Sequence, residues 1–261
     1  MLKKRLIGVV TVKNGWAVQS FGYKRYLPLG KPECLIENLD RWGADEILVQ
    51  VIDRSIDKLG PDFSLLEKIG RLGLETPLIY SGGIRSANDG VAAVQLGADR
   101  LVLDALLHDD HECIAELSHK LGAQALVAAL PLSLLNGELR WLDYRTHTSS
   151  AISDKVLNLL QTGVVSEILI VDWLNEGGCG VFNTALLDTF PSQQLPLIAF
   201  GGIAGPTHIE SILERASTMA IAIGNSLSYR EHAIQKCKEA LLGMPLRSPH
   251  YESKYPLLAH A

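Results

Sequence analysis

Eight short apolar runs punctuate the chain, near residues 5–12, 46–52, 77–81, 100–104, 125–131, 168–172, 196–200 and 219–224. Most are continuous rather than alternating, which is how a strand reads when both of its faces are buried in a parallel sheet covered by helices. Between most of them apolar residues recur at helical spacing, over Cys34 to Trp42, Leu65 to Leu72, Val91 to Leu96, Ile114 to Leu121, Val156 to Leu160 and Ile209 to Leu213. Eight strand–helix alternations within roughly 250 residues predict an α/β fold, the (β/α)8 TIM barrel, in which chemistry sits where the strands end.

The pattern is duplicated. Pro77-Leu-Ile-Tyr-Ser-Gly-Gly-Ile84 is repeated as Pro196-Leu-Ile-Ala-Phe-Gly-Gly-Ile203, and a further apolar run begins 22 residues after each proline. Ala44-Asp-Glu-Ile-Leu48 is echoed by Val165-Ser-Glu-Ile-Leu169, and Asn14-Gly15 by Asn136-Gly137, all at a shift near 120 residues. That period is close to half the chain and too long for a solenoid unit, so it predicts two fused half-barrels, about 1–122 and 123–245, with a tail at 246–261. An apolar strand ending in Gly-Gly can bring bare backbone N–H groups close to an anion. Two such ends, Gly82-Gly83 and Gly201-Gly202, are expected on one rim and point to a ligand with two phosphates.

Composition fits one barrel domain over 1–261. The chain is 47% hydrophobic and 20% charged, and no Pro/Gly/Ser-rich linker divides it. A net charge of −5 without a basic stripe argues against nucleic acid, so a phosphorylated ligand must be held by local N–H groups. The opening Met1-Leu-Lys-Lys-Arg-Leu-Ile-Gly-Val-Val reads as the first strand rather than a leader. No segment is long enough to span a bilayer, and four cysteines without C-x-x-C spacing suit a reducing cytoplasm. Cys34, Cys113 and Cys237 read as helix packing residues, while Cys179 lies in the glycine-rich loop Glu176-Gly-Gly-Cys-Gly180 with no base paired to it. Neither a metal nor a cofactor is expected.

A set of short phrases carries a resemblance: Val12-Lys13-Asn-Gly15, Gly43-Ala-Asp-Glu46, Ser81-Gly-Gly-Ile84, Gly97-Ala-Asp-Arg100, Glu167-Ile-Leu169, Asn175-Glu-Gly177 and Ile198-Ala-Phe-Gly-Gly202. In order and spacing the chain resembles the cyclase subunit of imidazole glycerol phosphate synthase, HisF, over about residues 1–235. The resemblance implies a duplicated half-barrel and phosphate contacts from Gly82, Gly83, Gly177, Gly201, Gly202 and Asn225. It also implies a HisH-like glutaminase on the opposite face that sends ammonia through the barrel. Arg5, Glu46, Arg100 and Glu167 stand where the family closes the floor of its channel with alternating charges, and Asp99 where it faces the glutaminase. A ring of charges there also reads as a structural plug.

The departures concentrate at the opposite end. Thr11 and Pro131 stand where the family has its two acid/base aspartates, and neither side chain titrates near neutral pH. Gln19 replaces a lysine and Val51 an aspartate; Asp104-Ala105, Val171-Asp172 and Phe200 replace small phosphate-contacting residues. Carboxylates beside a phosphate repel it, so Asp104 and Asp172 argue against an unchanged bisphosphate. Asp53, Asp104, Asp172 and Glu176 are the acid/base candidates that remain at strand ends.

The loop Gln19 to Pro32 resembles that of second-copy HisF homologues found with sugar-modifying systems, and reads as a lid over an anionic ligand. The leading expectation is a HisF-like subunit of a glutamine-dependent amidotransferase, acting on a phosphorylated or nucleotide-sugar small molecule to amidate a sugar or glycan. The alternatives are an authentic cyclase of histidine biosynthesis using other groups, and a non-catalytic barrel that activates its glutaminase.

Overall fold

Each of the eight apolar runs forms a strand in the computed structural model, which describes residues 3–191, 194–228 and 230–249. Among the described residues the strands in chain order are β1 (Arg5–Lys13), β2 (Trp16–Phe21), β3 (Arg25–Gly30), β4 (Glu46–Val51), β5 (Leu78–Ser81), β6 (Arg100–Leu103), β7 (Leu126–Leu135), β8 (Glu138–Asp143), β9 (Thr148–Ser150), β10 (Glu167–Asp172), β11 (Leu197–Phe200) and β12 (Thr218–Ile223). Eight of them, β1, β4, β5, β6, β7, β10, β11 and β12, pair in parallel in that order, and β10 returns to β7 to close the barrel. The (β/α)8 fold class is therefore as the apolar pattern predicts.

The six predicted helices occur as Pro32–Arg41, Phe63–Gly70, Ala87–Gln95, His111–Leu121, Asp154–Gln161 and Pro206–Leu213. Four begin on a side chain that accepts from a free N–H of the first turn: Asp62, Ser86, Asp110 and Ser153. Inside the barrel, Ile7, Leu48, Ile79, Val102, Val127 and Leu169 form part of one buried cluster. A second, larger cluster, including Leu6, Ile36, Ile47 and Leu66, fills the space between strands and helices. Among the described residues no helix is long and apolar enough to cross a membrane.

One hydrogen-bonded arrangement occurs twice in the barrel. The first strand of each half runs on into an antiparallel extension: β1 into β2 and β3, β7 into β8 and β9. Both turns use the Asn-Gly pairs singled out by the repeat, with positive φ at Asn14 (50°), Gly15 (76°), Asn136 (53°) and Gly137 (83°). Two consecutive positive φ values are what a tight two-residue hairpin requires. The segment from Gln19 to Pro32, read as a loop, is thus mostly hairpin, with a tip at Gly22 to Lys24, and Lys31 links it to the helix that starts at Pro32. One packing assignment is corrected: Cys34 is exposed, whereas Cys113 is buried and Cys237 is partly covered, its thiol pushed up to about 11 by burial.

Candidate functional site

Because β5 and β11 run parallel in one barrel, Gly82-Gly83 and Gly201-Gly202 leave it on the same rim, four barrel strands apart. Sterics require glycine there. A Cβ on Gly82 would lie 2.3 Å from the Val51 carbonyl oxygen, and one on Gly201 2.6 Å from that of Asp172, the end of the preceding strand in each half. All four glycines have positive φ.

The two rim segments differ in what covers them. Gly201, Gly202, Gly177, Gly178 and Asn225 line a polar cleft of about 20 Å³, together with Thr11 and Glu176. Around Gly82-Gly83 the protein's own groups close in. The Gly83 N–H donates to Ser55 Oγ at 3.3 Å, and Asp104 Oδ1 accepts from the Ala105 N–H. Tyr144 donates its hydroxyl to Asp104 Oδ2 at 2.6 Å, and the Ser55 side chain lies beside the same phenol.

Between these segments lies a cavity of about 300 Å³. Tyr23, Tyr26, Tyr144 and Trp173 line it, with Pro131, Val171 and Ile56; its polar groups include Asp104, Gln50, Ser81 and His147. Each half supplies a tyrosine from its hairpin. Tyr23 sits at the β2–β3 tip, its hydroxyl within 3.3 Å of the Gln50 amide nitrogen, and Tyr144 follows β8. Burial raises the pKa of both phenols, that of Tyr23 further because of the nearby Glu176 carboxylate, so both stay neutral donors.

The four candidate carboxylates separate. Asp104 faces the cavity, and burial raises its pKa against the opposing pull of the Tyr144 and Ala105 hydrogen bonds. Glu176 faces the cleft; its carboxylate accepts from Ser20 Oγ at 3.0 Å and the Tyr23 N–H at 3.1 Å, and burial again raises its pKa. Asp172 is saturated by Ser133 Oγ (2.8 Å), Asn175 Nδ2 (2.7 Å) and the Asn183 N–H (2.9 Å), and Asp53 accepts from the Asn14 N–H at 2.6 Å. Neither lines the cavity or the cleft. Thr11 borders the cleft and Pro131 the cavity. Among the described residues no group of three or more His, Cys, Asp or Glu side chains could hold a metal ion.

The other end of the barrel carries a closed ring of charge. Arg5, Glu46, Arg100 and Glu167 are each the first residue of a barrel strand, and so lie at one level. Arg5 contacts Glu46 (3.4 Å) and Glu167; Arg100 contacts Glu46 (3.2 Å) and Glu167 (2.6 Å). Signs alternate round the ring, which leaves no carboxylate beside only its like. Asp99 is exposed on this face, and its carboxylate accepts from the Leu78 N–H at 2.7 Å.

Comparison with known proteins agrees with this geometry. A family profile described as histidine biosynthesis protein matches residues 5–233, nearly the whole barrel. The chain belongs to that family and is a HisF-type member. It is 27% identical to a protein of Vibrio vulnificus (strain YJ016) that carries the name hisF2, over 236 residues covering 89% of this chain and 86% of that one. It is also 27% identical to the imidazole glycerol phosphate synthase subunit HisF of Thermococcus gammatolerans, over 253 residues covering 95% and 99%. The HisF subunit of an Exiguobacterium species is 26% identical over 227 residues, 85% of this chain and 88% of that one.

Residue reasoning missed Tyr144, Trp173, Ser55 and His147. For Tyr144 a signal existed: Tyr23-Lys24 and Tyr144-Arg145 stand at the same shift, near 120 residues, as the Asn-Gly pairs. The others carry no spacing that distinguishes them from surface residues.

Proposed function

We propose that this HisF-type barrel delivers ammonia from a HisH-like glutaminase to a phosphorylated sugar or nucleotide-sugar acceptor held in its mouth. The observation that carries the reading is the contrast between the two ends: four charges kept in alternating contact at the strand starts, and no acid/base pair at Thr11 and Pro131. The ring acts as a gate, with Asp99 on the docking face around it. Above the ring the barrel interior is apolar, with Ile7, Leu48, Ile79 and Leu169 buried there, an environment that suits neutral ammonia and disfavours ammonium.

At the mouth, the glycine cleft beside β11 and β12 holds a phosphate, and the aromatic cavity holds the rest of the acceptor. Ammonia is itself a nucleophile, and on an acceptor whose acyl group is already activated as a phosphate or nucleotide ester the C–N bond forms as that leaving group departs and a second ammonia takes the surplus proton. What the mouth supplies is orientation and exclusion of water, which a cavity walled by three tyrosines and a tryptophan provides. Histidine-pathway ring closure asks for more, since it needs positioned proton transfers.

Reconstitution with a HisH-type glutaminase tests the reading. Expected are a stable complex, stimulated glutamine hydrolysis, and transfer of ¹⁵N from amide-labelled glutamine to a phosphorylated sugar acceptor. Absence of both complex and stimulation rejects it. Stimulation without transfer to any acceptor favours a barrel that only activates its partner.

A further inference from the structure

The duplicated half-barrels place two glycine cradles on one rim, yet only one of them is open. In the second half, Gly201-Gly202 and Asn225 border a cleft with Gly177 and Gly178. In the first half two of the matching backbone N–H groups are already taken: Gly83 donates to Ser55 Oγ at 3.3 Å, and Ala105 donates to Asp104 Oδ1. Tyr144 spans these two acceptors, donating to Asp104 Oδ2 at 2.6 Å with its phenol beside the Ser55 side chain. The result is an unbroken row of polar groups across the cradle, a network that runs from the end of β5 to the end of β6.

We infer that this network closes the first-half cradle to phosphate and sets the ligand class of the mouth: a molecule phosphorylated at one end, with an uncharged hydrogen-bond donor, such as a sugar hydroxyl, at the other. The inference rests on reading the glycine turns as phosphate cradles. An anion entering the first cradle would have to displace both Ser55 and Asp104 from the N–H groups they occupy, and would meet the carboxylate at contact distance, where like charges repel. A hydroxyl meets no such cost. It can donate to Asp104 or accept from a neutral phenol, while its ring lies against Tyr23, Tyr26 or Trp173 in the 300 Å³ cavity. Asp104 is thus a specificity-determining residue, and Tyr144 and Ser55 are positioning residues that hold it across the cradle.

Titration with inorganic phosphate by calorimetry, with amide ¹⁵N spectra to locate the sites, tests the inference on the full chain. The wild type is expected to bind one phosphate per chain, shifting the amides of Gly201 and Gly202 and leaving Gly83 and Ala105 unmoved. Asp104→Asn with Tyr144→Phe removes the carboxylate and the bridging hydroxyl, and is expected to bind a second phosphate that shifts Gly83 and Ala105, at least about tenfold tighter there than in the wild type. Asp104→Asn alone, close to isosteric, serves if the double variant does not fold. Phosphate at Gly83 in the wild type, or no gain at Gly83 in either folded variant, overturns the inference. Binding at Gly83 in the variant with none at Gly201 in either protein upholds the closure of the first cradle and rejects both the phosphate reading of the open cleft and the singly phosphorylated ligand.

Discussion

Asp104 is where local chemistry departs furthest from an ordinary surface residue. Burial raises its carboxyl pKa, so the folded chain holds that proton more tightly than the unfolded one. The sign follows: Asp104's contribution to stability is fully present below the ordinary carboxylate value and is lost as pH rises through the raised one. Asp104→Asn keeps an acceptor for the Ala105 N–H and an amide for the Tyr144 oxygen without burying charge. Thermal melts from pH 4 to 8 should show the variant gaining on the wild type as pH rises, the gap closing in acid; a pH-independent gap would contradict this. The glycine turns allow a blunter test. At Gly201, φ is +105° and an added Cβ would stand 2.6 Å from a backbone oxygen that cannot swing aside. Gly201→Ala should therefore cost at least about 2 kcal/mol in a denaturant titration, from strain and clash together.

At the scale of elements, legibility followed burial. The eight barrel strands could be read because parallel strands covered on both faces become continuous apolar runs. The hairpins could not. β3 lies on the outer edge of its pair, is largely exposed, and carries Pro28, a residue that reads as loop and is tolerated only on an edge strand. The helices Ala105–Asp109 and Ala185–Thr189 are too short to show a period. The site divides in the same way: glycine turns and strand-start charges declare themselves by residue type and repeat, whereas Tyr144 and Trp173 become part of the mouth only once the hairpins fold over it. The β2–β3 hairpin is held by Glu176, whose carboxylate and carbonyl oxygen accept from Ser20, Tyr23 and Gly22, and by Asn225, whose side chain donates to the Ser20 carbonyl at 2.7 Å. Glu176→Ala removes the side-chain half of that latch. Hydrogen exchange at Tyr23 should accelerate by tenfold or more, about what the loss of a charge-assisted hydrogen bond allows, while amides of β5 and β6 keep their protection. Equal acceleration throughout would mean that Glu176 supports the barrel and not the hairpin.

Across the whole molecule the two rims are built to different rules, and each rule can be broken separately. At the floor, every charge of the ring touches two of opposite sign, so Glu167→Ala leaves Arg5 and Arg100 sharing one carboxylate at a largely buried level. Removing one partner of a buried pair costs roughly 3–5 kcal/mol, and less here because both arginines retain some exposure; the denaturation midpoint should fall accordingly. At the mouth, the question is whether any other group has taken over ring closure. Asp53 and Asp172 are committed to turns and line neither the cavity nor the cleft, Glu176 is tied to the β2–β3 hairpin, and Asp104 is held between Tyr144 and a backbone N–H. A positioned acid or base contributes about 10² to 10⁴ in rate. Without the pair, turnover of the imidazole glycerol phosphate precursor with ammonium as nitrogen source should stay near background, and the chain should fail to rescue a strain lacking its cyclase. Restoring carboxylates with Thr11→Asp and Pro131→Asp should recover little, because Thr11 borders the small cleft and Pro131 the large cavity, and Asp104 still bars the second phosphate that would align a substrate between them. Wild-type turnover near 1 s⁻¹, an ordinary enzymatic rate, would show instead that Asp104 or Glu176 has become the acid/base group and that the barrel is a working cyclase.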